Sequence, residues 1–403
     1  MFEKVIPILP VVLPLMAAPL CVIFRSSYMC WLITLITCWA IFICSFLIFF
    51  NLGEHNFISY PLGGWDPPLG IEYRIDKLNI ILLILLSSFA ALLTTFCRTL
   101  LVNEISKEKI HFFFVAFLLC LSGLIGVSIT SDAFNAFVFM EISSLATYVL
   151  IALGKDRRAL LASYRYLILG TIGATFFVLG VGIIYVLTGT LNFTEITEKL
   201  KDVEQIRAKY AALSFILVGL TLKAALFPAH AWLPNSYTYA PSFASCFLAA
   251  TSTKVSIYLL IRFIFDIFGY SQNLDAHMIH LIIITLSVCA IFAGSIIAIF
   301  QSDIKKLFAF SSISQIGYMI LGLALITELG LAACLTNMFN HAFIKTGLFL
   351  AVAVIIYYYQ SDSIKQLSGM AKTSPLIFIL FLISGLSIIG VPLTSGFISK
   401  WYL

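Results

Sequence analysis

Charge is what this sequence has least of: Asp, Glu, Lys and Arg make up 11% of its 403 residues, against 61% hydrophobic. With a mean hydropathy of +1.05, it has too little polar surface to cover a water-soluble globule of this size. It also lacks the alternating segments of roughly ten residues that build an outer-membrane barrel. Its apolar runs extend for about 20 residues, the length of a helix that crosses a bilayer. The expected fold class is all-α, a polytopic membrane helix bundle.

Other absences narrow the chemistry. No Cys-x-x-Cys pair occurs among the nine cysteines, and Cys21, Cys38, Cys44, Cys120, Cys289 and Cys334 sit in apolar spans, where a thiol packs as a small hydrophobe. That excludes a disulfide frame, a metal ribbon and an iron–sulfur cluster. Gly180-Val181-Gly182 lacks the third glycine of a dinucleotide loop and lies inside an apolar span, so it reads as close helix packing. Neither His230 nor His341 has a second His or Cys at ligand spacing, and no metal or cofactor is expected. Met1-Phe2-Glu3-Lys4 lacks the basic region of a signal peptide, so the first span is expected to stay in the mature protein. The net charge of +5 is spread over short loops with no basic helix, which argues against a nucleic-acid partner.

What remains is a series of twelve apolar spans, at 5–24, 29–50, 78–97, 111–130, 134–153, 161–187, 211–228, 241–265, 278–300, 307–326, 330–356 and 375–403. Arg25, Arg98, Lys107, Lys109, Lys155, Arg157, Arg158, Arg165, Lys305, Lys306, Lys365 and Lys372 fall in loops after odd-numbered spans. Loops after even-numbered spans hold fewer, and Lys199, Lys201, Arg207 and Lys209 among them sit in an acid-balanced stretch, Thr194 to Tyr210, that reads as one amphipathic surface helix. The positive-inside rule then puts the odd-side loops in the cytoplasm and the N-terminus outside. Asn51 to Lys77, with Gly63-Gly64-Trp65-Asp66-Pro67-Pro68, reads as a turn-rich external loop.

A weak repeat runs through the spans. Pro228 breaks the seventh and Pro392 the twelfth, each near a lysine, which divides the chain into three N-terminal helices (1–110), a five-helix unit (111–267) and a second unit (278–403) that looks incomplete. Five helices per unit is an odd number, so successive units have opposite topology, as in transporters built on inverted repeats and broken helices. The early stop of the second unit reads as a truncation.

Six ionisable residues lie inside spans: Glu141, Lys223, Lys254, His341, Lys345 and Lys400. Each charge near mid-bilayer costs roughly 2.5–3.5 kcal/mol on an insertion scale, so these groups are expected to face one another or water. A Glu141–Lys223 pair would hold the lysine protonated, and separating the two would pass its proton to Lys254, then His341 or Lys345, then Lys400. His230, in the broken segment beside Trp232, reads equally as a packing residue and as a proton carrier. His341 precedes Lys345 by one helical turn. Ser311, Ser312 and Ser314 read more readily as helix contacts than as a water lining, and Asp132 is a lesser candidate for a cation ligand.

These residues lie in motifs that resemble the antiporter-like proton-translocating subunits shared by Mrp-type multisubunit monovalent cation/proton antiporters and respiratory complex I. The motifs are Asp132-Ala133-Phe134-Asn135 through Glu141, Leu222-Lys223-Ala224-Ala225-Leu226-Phe227-Pro228 with His230-Ala231-Trp232-Leu233-Pro234, Ala240-Pro241 through Thr253-Lys254, Ser302-Asp303-Ile304-Lys305-Lys306, His341 to Lys345, and Gly390-Val391-Pro392 through Lys400. Thr188-Gly189-Thr190-Leu191-Asn192 and Thr253-Lys254-Val255 are most similar to the D-type subunits of the Mrp antiporters. Ser236-Tyr237 stands where complex I relatives often carry a second histidine. The resemblance implies fourteen spans, Glu141 and Lys223 as a gating pair, and Lys254, His341 and Lys400 as central-axis and exit groups. It also implies a transporter subunit without a redox site of its own, in the cytoplasmic (inner) membrane, working with other membrane subunits on protons and a monovalent cation of the sodium type. The rival implication is a proton-pumping subunit of a complex I-like NADH:quinone oxidoreductase or a membrane hydrogenase.

Overall fold

In the computed structural model the described residues are 5–53, 55–269, 277–359, 361–367 and 369–403. Met1 to Lys4, on which the signal-peptide reading rests, lie outside them. Among the described residues eleven helices are long and apolar enough to cross a membrane. They are α1 (Ile6–Phe24), α2 (Ser27–Leu52), α3 (Lys77–Glu104), α4 (Ile110–Ile129), α5 (Ala133–Ala152), α6 (Arg157–Thr188), α8 (Ile206–Ala224), α10 (Ser242–Ile261), α11 (His277–Ile299), α12 (Ile304–Ala324) and α13 (Glu328–Tyr359). Short acidic and amide residues set their starts. Asp76, Asp132, Asp156 and Asp303 each accept backbone N–H groups at the N-caps of α3, α5, α6 and α12, supplying acceptors that the first turn of a helix lacks.

Three expectations are corrected. The twelfth span, expected at 375–403, breaks at Pro392 as the sequence implied, but neither piece has the length of a crossing: α14 (Pro375–Ile389) stops at Gly390 and the chain resumes in α15 (Ser395–Trp401). Fifteen residues rise only about 22 Å, short of the roughly 30 Å hydrocarbon core. The loop from Asn51 to Lys77 contains an antiparallel hairpin, β1 (Phe57–Pro61) and β2 (Glu72–Asp76), with Phe57 opposite Asp76 and Pro61 opposite Glu72. In β2, Tyr73 and Ile75 are buried, a period-two signal that the surrounding Gly and Pro outweighed. The stretch from Thr194 to Tyr210 is not one helix either: α7 (Phe193–Asp202), capped by Asn192, ends there, and Ile206 already opens α8.

Burial ranks the helices and so locates the axis of the bundle. α10 continues through a π-helical end (Arg262–Ile267), and 94% of the residues in the apolar stretch of Ser242–Ile267 are buried, against 22% in that of α11 on the rim. α10 packs against α3, α8 and α13, so whatever it carries faces protein on all sides. α6 packs on α8 closely enough that a Cβ at Gly180 would meet Ile216 Cγ1 at 2.6 Å. Gly180 is therefore the close contact that the sequence implied; a Cβ at Gly182 would meet nothing within 4 Å.

Candidate functional site

Lys223 occupies the last turn of α8 and is 4% exposed. Its ammonium crosses to α5, where Nζ lies 3.0 Å from Glu141 Oε1 and donates to Ser144 Oγ at 2.6 Å. The helix ends at once: Ala225 takes a left-handed conformation (φ 60, ψ 40), and Leu226 N–H turns back to the Thr221 carbonyl at 3.0 Å. The Leu222 carbonyl accepts from Trp232 Nε1 at 3.0 Å, and the Trp232 ring stacks on Tyr166 at 3.8 Å. Two aromatic residues thus hold the break shut where the backbone ladder is interrupted. A 3-10 turn (Ala229–Trp232) and the short helix α9 (Leu233–Tyr239) complete the crossing.

Among the described residues, one of the expected charge pairs forms inside the bundle. Besides Lys223 and Glu141, the membrane-buried ionisable groups turn to backbone rather than to each other. Lys254, fully buried at the middle of α10, donates to the Ala249 carbonyl. Lys345, fully buried on α13, donates to the Phe308 carbonyl at 2.6 Å and to Ser311 Oγ, both on α12. Lys400 donates to the carbonyls of Ile388 and Ile389 at 2.9 and 2.8 Å, and its ammonium sits 4.9 Å from the Tyr318 ring. At Lys400 the interrupted helix leaves carbonyl oxygens that an ammonium satisfies without a second buried charge; the Ala249 and Phe308 carbonyls lie within unbroken helices and accept from the lysines with a second lone pair. His341 is buried with neither ring nitrogen partnered, and it lies within electrostatic range of Lys254 and Lys345.

Small polar side chains link these groups. A cavity of about 20 Å³, on the order of one water molecule, is lined by Ser143, Ser144, Thr147, Tyr166, Lys223, Ser252 and Ser256. It reaches from Lys223 on α8 to Ser252 and Ser256 on α10, on the helix face opposite Lys254. A wider cavity of about 370 Å³ is lined by His230, Asn235, Gln301 and Lys306. In it the His230 ring stacks on Phe227 at 5.3 Å and Nδ1 has no partner. Among the three serines of α12, Ser312 bonds back to Phe308 O and Ser314 meets Ser295 at 2.9 Å, both as helix contacts. Ser311 differs, because it receives Lys345. Asp132 spends its carboxylate on the Asn135 N–H at 2.7 Å as the cap of α5, and burial pushes its acidity towards higher pH. Among the described residues no group of three or more His, Cys, Asp or Glu is arranged to hold a metal ion.

Other residues, unremarkable in the sequence, stand beside these. Ser144 is one helical turn from Glu141 on α5, a spacing that was legible. Glu104 was not: its carboxylate accepts from Ser242 N and Oγ, both at 2.5 Å, at the start of α10, and Lys305 Nζ reaches the same hydroxyl at 3.2 Å. Arg262 and Asp76, joined between the far end of α10 and the start of α3, were equally silent.

Known proteins share this architecture. The sequence profile described as NADH:quinone oxidoreductase/Mrp antiporter, TM, matches residues 130–403. The chain is 39% identical over 344 residues to the N subunit of the NADH-quinone oxidoreductase of Desulforudis audaxviator, covering 85% of this chain and 68% of that protein. It is 30% identical over 400 residues to the D subunit of the Na(+)/H(+) antiporter of Alkalihalophilus pseudofirmus, covering 98% and 79%. Its fold matches a chain of the membrane-bound sulfane sulfur reductase, an archaeal respiratory membrane complex, with a TM-score of 0.93 at 29% identity over 99% of this chain and 81% of that one. It also matches a chain of the Mrp complex from Dietzia sp. DQ12-45-1b, with a TM-score of 0.90 at 26% identity over 100% and 74%. On the profile, the relatives and the fold together, this chain belongs to the NADH:quinone oxidoreductase/Mrp antiporter transmembrane family.

Proposed function

We propose that the chain is the proton-carrying membrane subunit of a multisubunit monovalent cation/proton antiporter. The observation that carries this reading is the Lys223 ammonium held 3.0 Å from Glu141 inside an apolar bundle, on a helix that breaks two residues later. A charge pair in that setting is held together strongly while closed and is unfavourable when half-separated, which is how a two-state gate behaves. Closed, the pair keeps Lys223 protonated. Opened, it sends the proton through the serine-lined cavity towards Lys254, then His341 or Lys345, and out by Lys400, with His230 exchanging protons at its own cavity. The membrane potential drives such a transfer with about 2.3 kcal/mol per charge per 100 mV.

On this reading residues 1–110 are a three-helix N-terminal part, and 111–267 and 278–403 are two units of opposite topology. Two parallels support that division. Asp132 caps α5 and bridges to Asn192, while Asp303 caps α12 and bridges to Ser363. Each unit also carries one break, at Ala225 and at Gly390, with left-handed backbone. The loops after odd-numbered spans face the cytoplasm, the N-terminus faces outward, and the bilayer is the cell membrane. The partners are the other membrane subunits of the complex, and the exchanged ions are protons and a monovalent cation.

A second reading has a specific observation behind it: the 39% identity to the N subunit of a quinone oxidoreductase. The same bundle would then pump protons for a redox complex. The deciding experiment is to purify the intact complex and reconstitute it in vesicles. Proton movement driven by a monovalent cation gradient, abolished by Glu141→Ala, supports the antiporter. Co-purifying flavin and iron–sulfur subunits, with no cation-driven proton movement, support the pump.

A further inference from the structure

A cavity of about 470 Å³ opens on the face of the bundle that carries the β1–β2 hairpin, lined by Asp76, Asn79, Thr197, Glu198, Tyr258, Arg262 and Asp266. Its floor is the π-helical end of α10, and such irregular turns recur where a helix is shaped for function. Every nitrogen of the Arg262 guanidinium is engaged there. One terminal nitrogen meets Asp76 Oδ2, the other lies 2.6 Å from Asp266 Oδ2, and Nε donates to Tyr258 Oη at 2.9 Å. Asp76 is itself fixed, because its other oxygen caps α3 through Leu78 N–H and Asn79 N–H at 2.9 and 3.1 Å. The guanidinium therefore pins the end of α10 to the start of α3, with a side-chain exposure of 14%.

The placement of this cluster along α10 gives it meaning. Lys254, Tyr258, Arg262 and Asp266 follow one another at single-turn intervals, so the cavity reaches down to within one turn of the buried Lys254. Tyr258, at 2% exposure, lies beneath the guanidinium. A fixed cation at the mouth of a passage repels protons and metal cations. Released from Asp76 and swung away from the mouth, the same cation lets them pass.

We propose that Arg262 is a charge gate between Lys254 and the cavity on the hairpin face, closed while its guanidinium is held by Asp76 and opened when a proton or a small monovalent cation takes the Asp76 carboxylate instead. This rests on the proton-carrying reading of Lys254 and adds a second mouth to that path. Arg74, Glu198 and Lys201, which share the cavity, set the local field but do not touch the guanidinium.

The test uses the complete complex in vesicles and two readouts. In the first, Tyr258→Cys is challenged with a membrane-impermeant maleimide from the hairpin side, with Thr197→Cys on the cavity wall as the accessible control and the native cysteines as background. The gate predicts slow labelling of Tyr258→Cys when Asp76 is present and labelling about tenfold faster in Asp76→Asn, where asparagine still caps α3. Equal labelling in the two backgrounds overturns the proposal. In the second, Arg262→Gln raises the passive proton conductance of the vesicles about tenfold and Arg262→Lys restores most of the seal. An assembled Arg262→Gln complex with wild-type conductance also overturns it. Labelling does not depend on which ion drives the complex, so wild-type vesicles that show no cation-driven proton movement count against the antiporter reading alone.

Discussion

The two broken helices hold their lysines in opposite ways. At the first break, Lys223 comes before the interruption and is met by a carboxylate from a neighbouring helix, while Trp232 takes the Leu222 carbonyl. At the second, Lys400 comes after the interruption and its own ammonium takes the carbonyls of Ile388 and Ile389 at the end of α14. The first site is thus an ion pair, and the second is a cation on the negative end of a helix. The backbone differs as well. Ala225 ends the first helix in a left-handed turn at φ 60, where a side chain is strained, whereas Gly390 ends α14 at φ 84 and the side-chain strain of the second break falls three residues later, on Leu393 at φ 75. Glu141 follows Asp132 by the same offset at which Ser312 follows Asp303, so the second half has a hydroxyl where the first has its acid. A proton leaving Lys223 leaves a partly buried carboxylate uncompensated; one leaving Lys400 leaves no counter-charge behind. On the proposed reading, that makes the first break the switch and the second an outlet.

The largest effect expected from this contrast is on Glu141→Ala. It strands a buried ammonium, which costs about 3–5 kcal/mol of stability, whereas Lys400→Met removes hydrogen bonds worth roughly 1–3 kcal/mol. Denaturant or thermal midpoints of the solubilised complex check the difference, and equal losses would break the comparison. Next comes Ser311→Asp, which offers Lys345 the kind of partner Lys223 has. A charge-assisted bond of roughly 1.5–3 kcal/mol should pin that lysine and slow proton movement in vesicles more than about tenfold. Exchanging the backbone devices should move stability in opposite directions by about 1–2 kcal/mol each. Ala225→Gly stabilises by relieving strain; Gly390→Ala destabilises, since its Cβ would also sit 2.9 Å from Lys400 Cδ. The smallest effect is Ser144→Ala, which removes one acceptor from Lys223 and should cost about 1 kcal/mol, read as a roughly fivefold change in transport rate.

Much of this was legible in the sequence because a bilayer is so restrictive a solvent. Runs of about 20 apolar residues fix helices wherever they occur, and a charge inside one of them draws notice by its cost alone, which is how Glu141 and Lys223 stood out. Their partners were less visible. The carbonyls that hold Lys254, Lys345 and Lys400 belong to every residue and carry no sequence signal, so of the expectation that these groups face one another or water, the facing of charge by charge holds, among the described residues, for one pair. Glu104 and Ser242, and Asp76 and Arg262, meet across more than a hundred residues of chain at helix ends, where a charged residue reads as an ordinary surface residue. The hairpin was hidden by the turn residues around it, whereas the split of the twelfth span was announced by Pro392.

The claim that Glu141 and Lys223 form the switch is tested most directly by cation-driven proton movement in vesicles carrying the complete complex, wild type beside Glu141→Gln, which keeps the shape of the acid and removes its charge. The account predicts that Glu141→Gln assembles and that proton movement falls at least about tenfold, the equivalent of 1.4 kcal/mol in a barrier. An assembled Glu141→Gln complex that moves protons at the wild-type rate would contradict it.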